Sequence, residues 1–318
     1  DIRFDEKQIE EGRNFATKLW NAARFRQMHG PSERKPVLKE SQLSIYAIEV
    51  LARLNETIGA VEAAYREYQF NTIAQRLYDF VWGDFCDWFV EAAKTDIFGE
   101  NAARKQSTLA TMDFVFSAVV RLLHPFMPHL TEELWSLMGF TSAENNFLDF
   151  SPLPEILGFD HAVVATARAK VAAIYETIEA GRNLRAEARV PSNQKAKFIL
   201  RSNETWAKEE MATSARLLNA ESLQIDPDVT APGRSSVAAT KLGELFLLVG
   251  ETDRAAERER LDKEIAKLEA DLKATEAKLG NQSFVERAPK DVVEEHRRRR
   301  DGLNARRTQL LMARDSLD

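Results

Sequence analysis

The feature that most restricts this chain lies in its last 65 residues. From about Asp253, Leu261, Ile265, Leu268, Leu272 and Leu279 recur at alternating spacings of four and three, with Thr275 in the intervening slot. A helix patterned this way has only a narrow apolar stripe, which it must bury against another helix. Gly280-Asn281-Gln282-Ser283 stops the pattern and Ala288-Pro289 restarts it. A second helix then carries Val292, His296, Leu303, Leu310 and Leu317. The short connection predicts an antiparallel coiled-coil hairpin over residues 253–318.

Upstream, the 3.6-residue period dominates and predicts a mainly α chain. Residues 6–28 place Phe15, Ala16, Leu19, Ala22 and Ala23 on one face, and a second helix after Ser41 carries Ile45, Ile48, Leu51 and Ile58. Two more are expected over 71–94 and 102–123. Pro125 and Pro128 interrupt the chain before a short helix from about Thr131 to Met138, because proline cannot continue the hydrogen-bond ladder. Residues 1–154 thus read as a helical bundle. Residues 155–252 read as a small α+β junction unit: a helix over 160–182, Lys197-Phe198-Ile199-Leu200, a second helix near 204–219, Leu223-Gln224-Ile225 and the apolar run Leu245 to Val249.

Charge is distributed unevenly. The net charge is −6, yet residues 254–318 hold 16 basic and 14 acidic residues, and within them residues 287–314 hold nine basic and four acidic, a local +5. A polyanion would be met by local patches rather than by the global field. One cysteine, Cys86, rules out an internal disulfide and a multi-cysteine metal site, and it fits a reducing compartment, the cytoplasm. No apolar run approaches the ~20 residues that span a bilayer, so no membrane partner is expected. The opening Asp1-Ile2-Arg3-Phe4 is neither a signal peptide nor an initiator methionine and reads as the start of an excised piece.

No catalytic residue and no metal site are predicted. The sequence has no glycine-rich phosphate loop, no paired-histidine spacing and no serine or cysteine with a base beside it. His124 and His129 flank Phe126-Met127-Pro128 and read as a helix-end cap or packed histidines. The first helix is more informative. At 100° per residue Lys7, Asn14, Lys18, Asn21 and Phe25 fall within about 40 to 60° of one line, with Arg24 at its border. An aromatic ring among amides and cations can stack an unpaired base, bond its edge and neutralise phosphate. By periodicity alone, Phe25 capping the core beside solvated polar groups is the stronger reading. In the tail, Arg297, Arg298, Arg299 and Arg300 cover a full helical turn, so some must face outward; the plain alternative pairs them with Glu294, Glu295 and Asp301.

Residues 1–25, DIRFDEKQIEEGRNFATKLWNAARF, closely resemble the stretch that follows the second ATP-binding signature of valyl-tRNA synthetases. VWGDFCDWFVEAAK (81–94), LLHPFMPHLTEELW (122–135) and RNLRAEARVP (182–191) agree with that family in the same order, and the tail is similar to its coiled-coil arm. The second of these motifs also occurs in isoleucyl and leucyl relatives; the arm joined to this bundle selects valyl.

The resemblance implies a bundle that binds the anticodon through Lys18, Arg24 and Phe25, with Asn21 and Lys7 on the same face and Glu91 on the third helix. This overlap with the helical line reverses the preference for a mere core cap. It also implies an arm that braces the elbow of valine tRNA, for which Arg297, Arg298 and Arg300 are the candidates. ATP with magnesium would serve the catalytic domain of the parent ligase, whose His-Ile-Gly-His and Lys-Met-Ser-Lys-Ser signatures are absent from this sequence; the chain is expected to need no cofactor, to be inactive alone and to be a monomer. The rivals are an isoleucyl- or leucyl-type fragment and a non-enzymatic coiled-coil scaffold.

Overall fold

The structure, a computed structural model, describes residues 6–141, 147–230, 235–248, 251–280 and 290–315. They divide into two compact units, one of residues 1–231 with 237–247 and one of residues 232–236 with 248–318. The fold is mainly α with one small sheet, as the periodicity predicts.

In the larger unit α1 (Glu6–Gln27), α2 (Ile45–Arg66), α3 (Phe70–Asp79), α4 (Val90–Phe98), α5 (Ala102–Leu123) and α6 (Pro128–Leu137) surround a core of Phe80, Phe85, Phe89, Phe116, Leu19 and Leu51. The second helix starts later than Ser41 suggests. Ser44 is the cap, its hydroxyl accepting from the Ala47 N–H at 3.2 Å, while Ser41 lies in a separate 3-10 turn. Pro128 opens α6 at its first position instead of breaking the chain before it, since a missing N–H costs nothing there. The fifth helix is the most deeply enclosed, and its Asp113 accepts from Arg26 at 2.7 Å and from the Glu33 N–H at 2.7 Å, fastening the end of α1 and the loop after it.

Residues 71–94 do not form one regular helix. Between α3 and α4, Phe80–Phe89 winds as a π-helix, with a wider turn than the α-form. This decides what the segment presents to α1.

The α+β part begins with α7 (His161–Glu187), capped by Asp160 and packed against α2. The loop before it is fastened by Asn55, which donates to the Leu157 carbonyl at 2.8 Å and accepts from the Leu157 N–H at 2.9 Å. Strands β1 (Ala196–Arg201), β2 (Ala220–Ile225), β3 (Ser235–Thr240) and β4 (Gly243–Leu248) form a sheet in the order β2-β1-β4-β3, with β1 and β2 parallel and Phe198 opposite Leu223. The helix expected near 204–219 is a 3-10 turn (Thr205–Lys208) followed by α8 (Met211–Leu217). Gly181 of α7 lies directly under Leu218, Leu245 and Phe198, leaving no room for a Cβ.

The smaller unit pairs α9 (Glu251–Gly280) with α10 (Lys290–Asp315). Leu261, Ile265, Leu268, Leu272 and Thr275 are buried at the expected spacing. Arg314 pairs with Asp262 and Arg307 with Glu269, so the two helices run antiparallel. On α10 His296, Leu303 and Leu310 are half-buried at the positions the sequence reading gives them, but Val293 is buried and Val292 is exposed. Leu317 and the connection 281–289 lie outside the described residues.

Candidate nucleic-acid interface

The predicted residues of α1 meet the π-helical segment and α4, which the sequence could not place beside them. Lys18 donates to Asp87 at 2.5 Å, and its ammonium stands 3.7 Å from the centre of the Trp82 ring. Trp82 and Asp87 are five residues apart. In an α-helix they would diverge by about 140°, whereas winding with i→i+5 hydrogen bonds returns them to one side, around one cation.

Two turns along α1, Phe25 is half-buried, with the Lys94 ammonium 5.5 Å from its ring centre. Lys94 in turn donates to Glu91 at 2.5 Å within α4. Phe25, proposed from α1, and Glu91, proposed from the third helix, are thereby linked through a lysine that sequence reasoning missed. Around them His29 contacts Phe25 edge-on at 5.0 Å, and Phe98 lies 5.4 Å from His29 and 6.3 Å from Phe25. Phe98 is 61% exposed. The Arg216 guanidinium of α8 stands 5.5 Å from the Phe98 ring, so the α+β part also contributes a cation to this surface.

Asn21 and Arg24 are exposed on α1 and take no part in these contacts. Lys7 lies in the first turn of α1, but its side chain is outside the described residues. The His29 imidazole is held below its ordinary pKa by burial first and then by the charges of Lys105 and Arg26, which keeps it neutral at neutral pH. The surface therefore offers one half-buried and one exposed aromatic ring, amide and guanidinium donors, and a carboxylate already engaged by lysine. That set suits unpaired bases and the phosphates between them.

The other candidates are divided. His124 ends α5, its Nδ1 2.8 Å from the Thr131 hydroxyl and its Nε2 3.3 Å from Asp149, the packed-cap arrangement the sequence suggests. No grouping of side chains able to hold a metal ion occurs among the described residues. On α10, Arg297, Arg298 and Arg299 are exposed. Arg300 is on the stripe turned toward α9, half-buried and bonded to Asp301 at 2.7 Å. Arg300 is seven residues beyond the buried Val293 and so occupies the same heptad position, which turns it inward.

Residues 48–200 match the family model of the anticodon-binding domain of tRNA ligase, and residues 253–318 match that of the valyl tRNA synthetase tRNA binding arm. The valine–tRNA ligase of Oceanobacillus iheyensis is 33% identical over 306 residues, covering 94% of this chain and 34% of its own length. That of Xanthomonas euvesicatoria is 36% identical over an alignment of 327 residues, 99% of this chain and 32% of its own length. The chain belongs to the valyl-tRNA synthetase family. Another relative, from Bacillus subtilis, is 34% identical over 96% of the chain. The chain spans about a third of the length of these curated valyl-tRNA synthetase relatives. None of the helices is long and apolar enough to cross a membrane among the described residues.

Proposed function

We propose that this chain is the tRNA-recognition part of a valine–tRNA ligase, reading the anticodon of valine tRNA with its bundle and bracing the tRNA elbow with its C-terminal coiled-coil hairpin. The observation that carries this is the Phe25, Lys94 and Glu91 line across α1 and α4, beside Lys18. Phe25 stacks an anticodon base, Lys18 and Arg24 bond base edges or phosphate, and Asn21 and Lys7 extend the polar face. Glu91 accepts from a base amine once Lys94 turns to phosphate. On the arm the exposed Arg297 and Arg298 meet the tRNA backbone, with Arg299 as exposed as either; the half-buried Arg300 meets it only at the edge of the stripe.

In this reading residues 1–154 form the anticodon-binding domain, 155–252 the junction and 253–318 the arm. Valine attachment, with ATP and magnesium, belongs to the whole ligase, so the 318 residues alone form no valyl-adenylate. The setting is the cytoplasm and the working form a monomer.

The test is binding of the chain to valine tRNA and to the same tRNA with its middle anticodon base changed, at two salt concentrations. Tight binding lost with that base is the expected result. Equal, strongly salt-dependent binding to both would reduce the bundle to a nonspecific basic surface.

A further inference from the structure

A second feature of the bundle lies among α5, α6 and the loops that follow α1 and α6, and it uses none of the residues above. It is a cavity of about 280 Å³ whose walls include Phe114, Ser117 and Arg121 of α5, Trp135 of α6, and Arg34 and Lys35 of the first loop. Residues 114, 117 and 121 recur at three and four, so the cavity follows one face of α5. Pro36 and Pro152 complete the apolar part of the wall.

The polar groups here are unbalanced. Arg121 donates only to neutral oxygens: the Ser117 carbonyl at 2.8 Å, the Ser117 hydroxyl at 3.1 Å and the Pro152 carbonyl at 3.1 Å. Burial lowers its pKa, and Glu155, the carboxylate whose charge acts on it, makes no ion pair with it among the described residues. Trp135 is largely buried and meets the cavity only with the part of its ring left uncovered. Arg34 and Lys35, at the same cavity, bond to no carboxylate among those residues. A guanidinium partly out of water with two more cations favours an anion beside them. The aromatic and proline walls favour a flat apolar body attached to it.

We infer that this cavity is a nucleotide site, in which Arg34, Lys35 and Arg121 face a phosphate while Phe114 and the edge of Trp135 flank a base. Two sources share this chemistry, a free mononucleotide and a nucleotide within an RNA strand. The site is separate from the Phe25 surface and stands whether or not that surface reads an anticodon.

Titration calorimetry of the whole chain at fixed ionic strength tests it, with adenosine 5′-monophosphate, inorganic phosphate and adenosine as probes. The monophosphate is expected to bind at one site and more tightly than either part. Arg34→Gln with Lys35→Gln, both in a loop, should weaken it about tenfold through lost charge-assisted bonds. Trp135→Phe, which keeps an aromatic ring, should weaken it less. A single-stranded oligoribonucleotide that displaces the monophosphate identifies the strand as the source; one that leaves it bound identifies the free nucleotide, and either supports the site. Absence of saturable binding, or equal affinity in the Arg34/Lys35 variant, overturns it.

Discussion

Arg26 and Asp113 form an ion pair at 2.7 Å with side chains 3% and 0% exposed, and Arg26 is the immediate neighbour of Phe25. Phe25 is turned toward the proposed RNA side, while Arg26 points inward and also donates to the Gly30 and Pro31 carbonyls at 3.0 and 3.2 Å. The last turn of α1 is therefore held in place by the residue next to the one that displays the ring. Asp113→Asn or Arg26→Met leaves one buried charge uncompensated and should cost about 3–5 kcal/mol of folding stability. The double change Arg26→Met with Asp113→Leu should recover much of that loss. Urea unfolding of the three variants measures it; a single variant as stable as the parent would mean that the pair does not organise α1.

Phe25→Ala should weaken tRNA binding by about 1–3 kcal/mol if the ring stacks a base. It should leave the salt dependence of binding nearly unchanged, because the ring neutralises no phosphate. Arg24→Gln or Arg216→Gln should do the opposite, lowering the salt slope by about 1 for each phosphate left without its cation. Comparing the log–log slopes separates the two roles. A Phe25→Ala variant that is folded and binds as tightly as the parent rules out stacking.

Much of this surface is legible in the sequence, but not its composition as a set. Lys18, Asn21, Arg24 and Phe25 share a helical face that the 3.6-residue period exposes directly. Lys94, Trp82 and Phe98 do not stand out, because a side chain on another helix joins the face only through tertiary packing. Trp82 and Asp87 are further concealed by the π-helical winding of Phe80–Phe89, which shifts the phase that an α-periodic reading assumes. The strand Ser235–Thr240 escapes notice for a different reason: its small residues, half of them polar, lack the apolar alternation by which strands are recognised. On the hairpin, adjacent Val292 and Val293 fit a heptad equally well as letters, and only the packing against α9 chooses between them.

His29 gives the larger unit a pH dependence of definite sign. Its pKa lies below the ordinary 6.5, chiefly through burial. Between the folded pKa and 6.5 the unfolded chain binds the proton more readily, so stability rises with pH across that window. The contribution is present in full above pH 6.5 and is lost as pH falls through the folded value. Urea midpoints should therefore drop between about pH 7.5 and about pH 5.5, and His29→Phe should remove part of that drop while preserving the aromatic cluster. An identical pH profile in the variant would assign the effect to other groups.

Gly181 lets α7 approach the sheet closely, with the Leu218, Leu245 and Phe198 side chains filling the space a Cβ would need. Alanine has the better helix propensity, by up to about 1 kcal/mol. Here it should nonetheless destabilise, by about 1–3 kcal/mol, because overpacking forces the three side chains or the helix to shift. Thermal or urea unfolding of Gly181→Ala decides which effect wins, and a stabilised variant would show that α7 moves away from the sheet at little cost.

The two sides of α10 should behave differently. Arg307 donates to Glu269 at 3.0 Å and Arg314 pairs with Asp262, so these arginines hold the hairpin together. Arg297, Arg298 and Arg299 project away from that stripe. Arg307→Gln should cost less than about 1 kcal/mol of stability, as expected for a half-exposed pair, and should leave the salt slope of tRNA binding intact. Replacing Arg297, Arg298 and Arg299 together by glutamine should leave stability unchanged but reduce the slope by about 0.7–0.9 for every phosphate that the arginines neutralise. An unchanged affinity and slope in the triple variant would leave the hairpin no electrostatic part in tRNA binding and would turn attention to a protein partner for its exposed arginines. A slope that falls with Arg307 as well would mean that the hairpin opens to present its inner arginines when RNA binds.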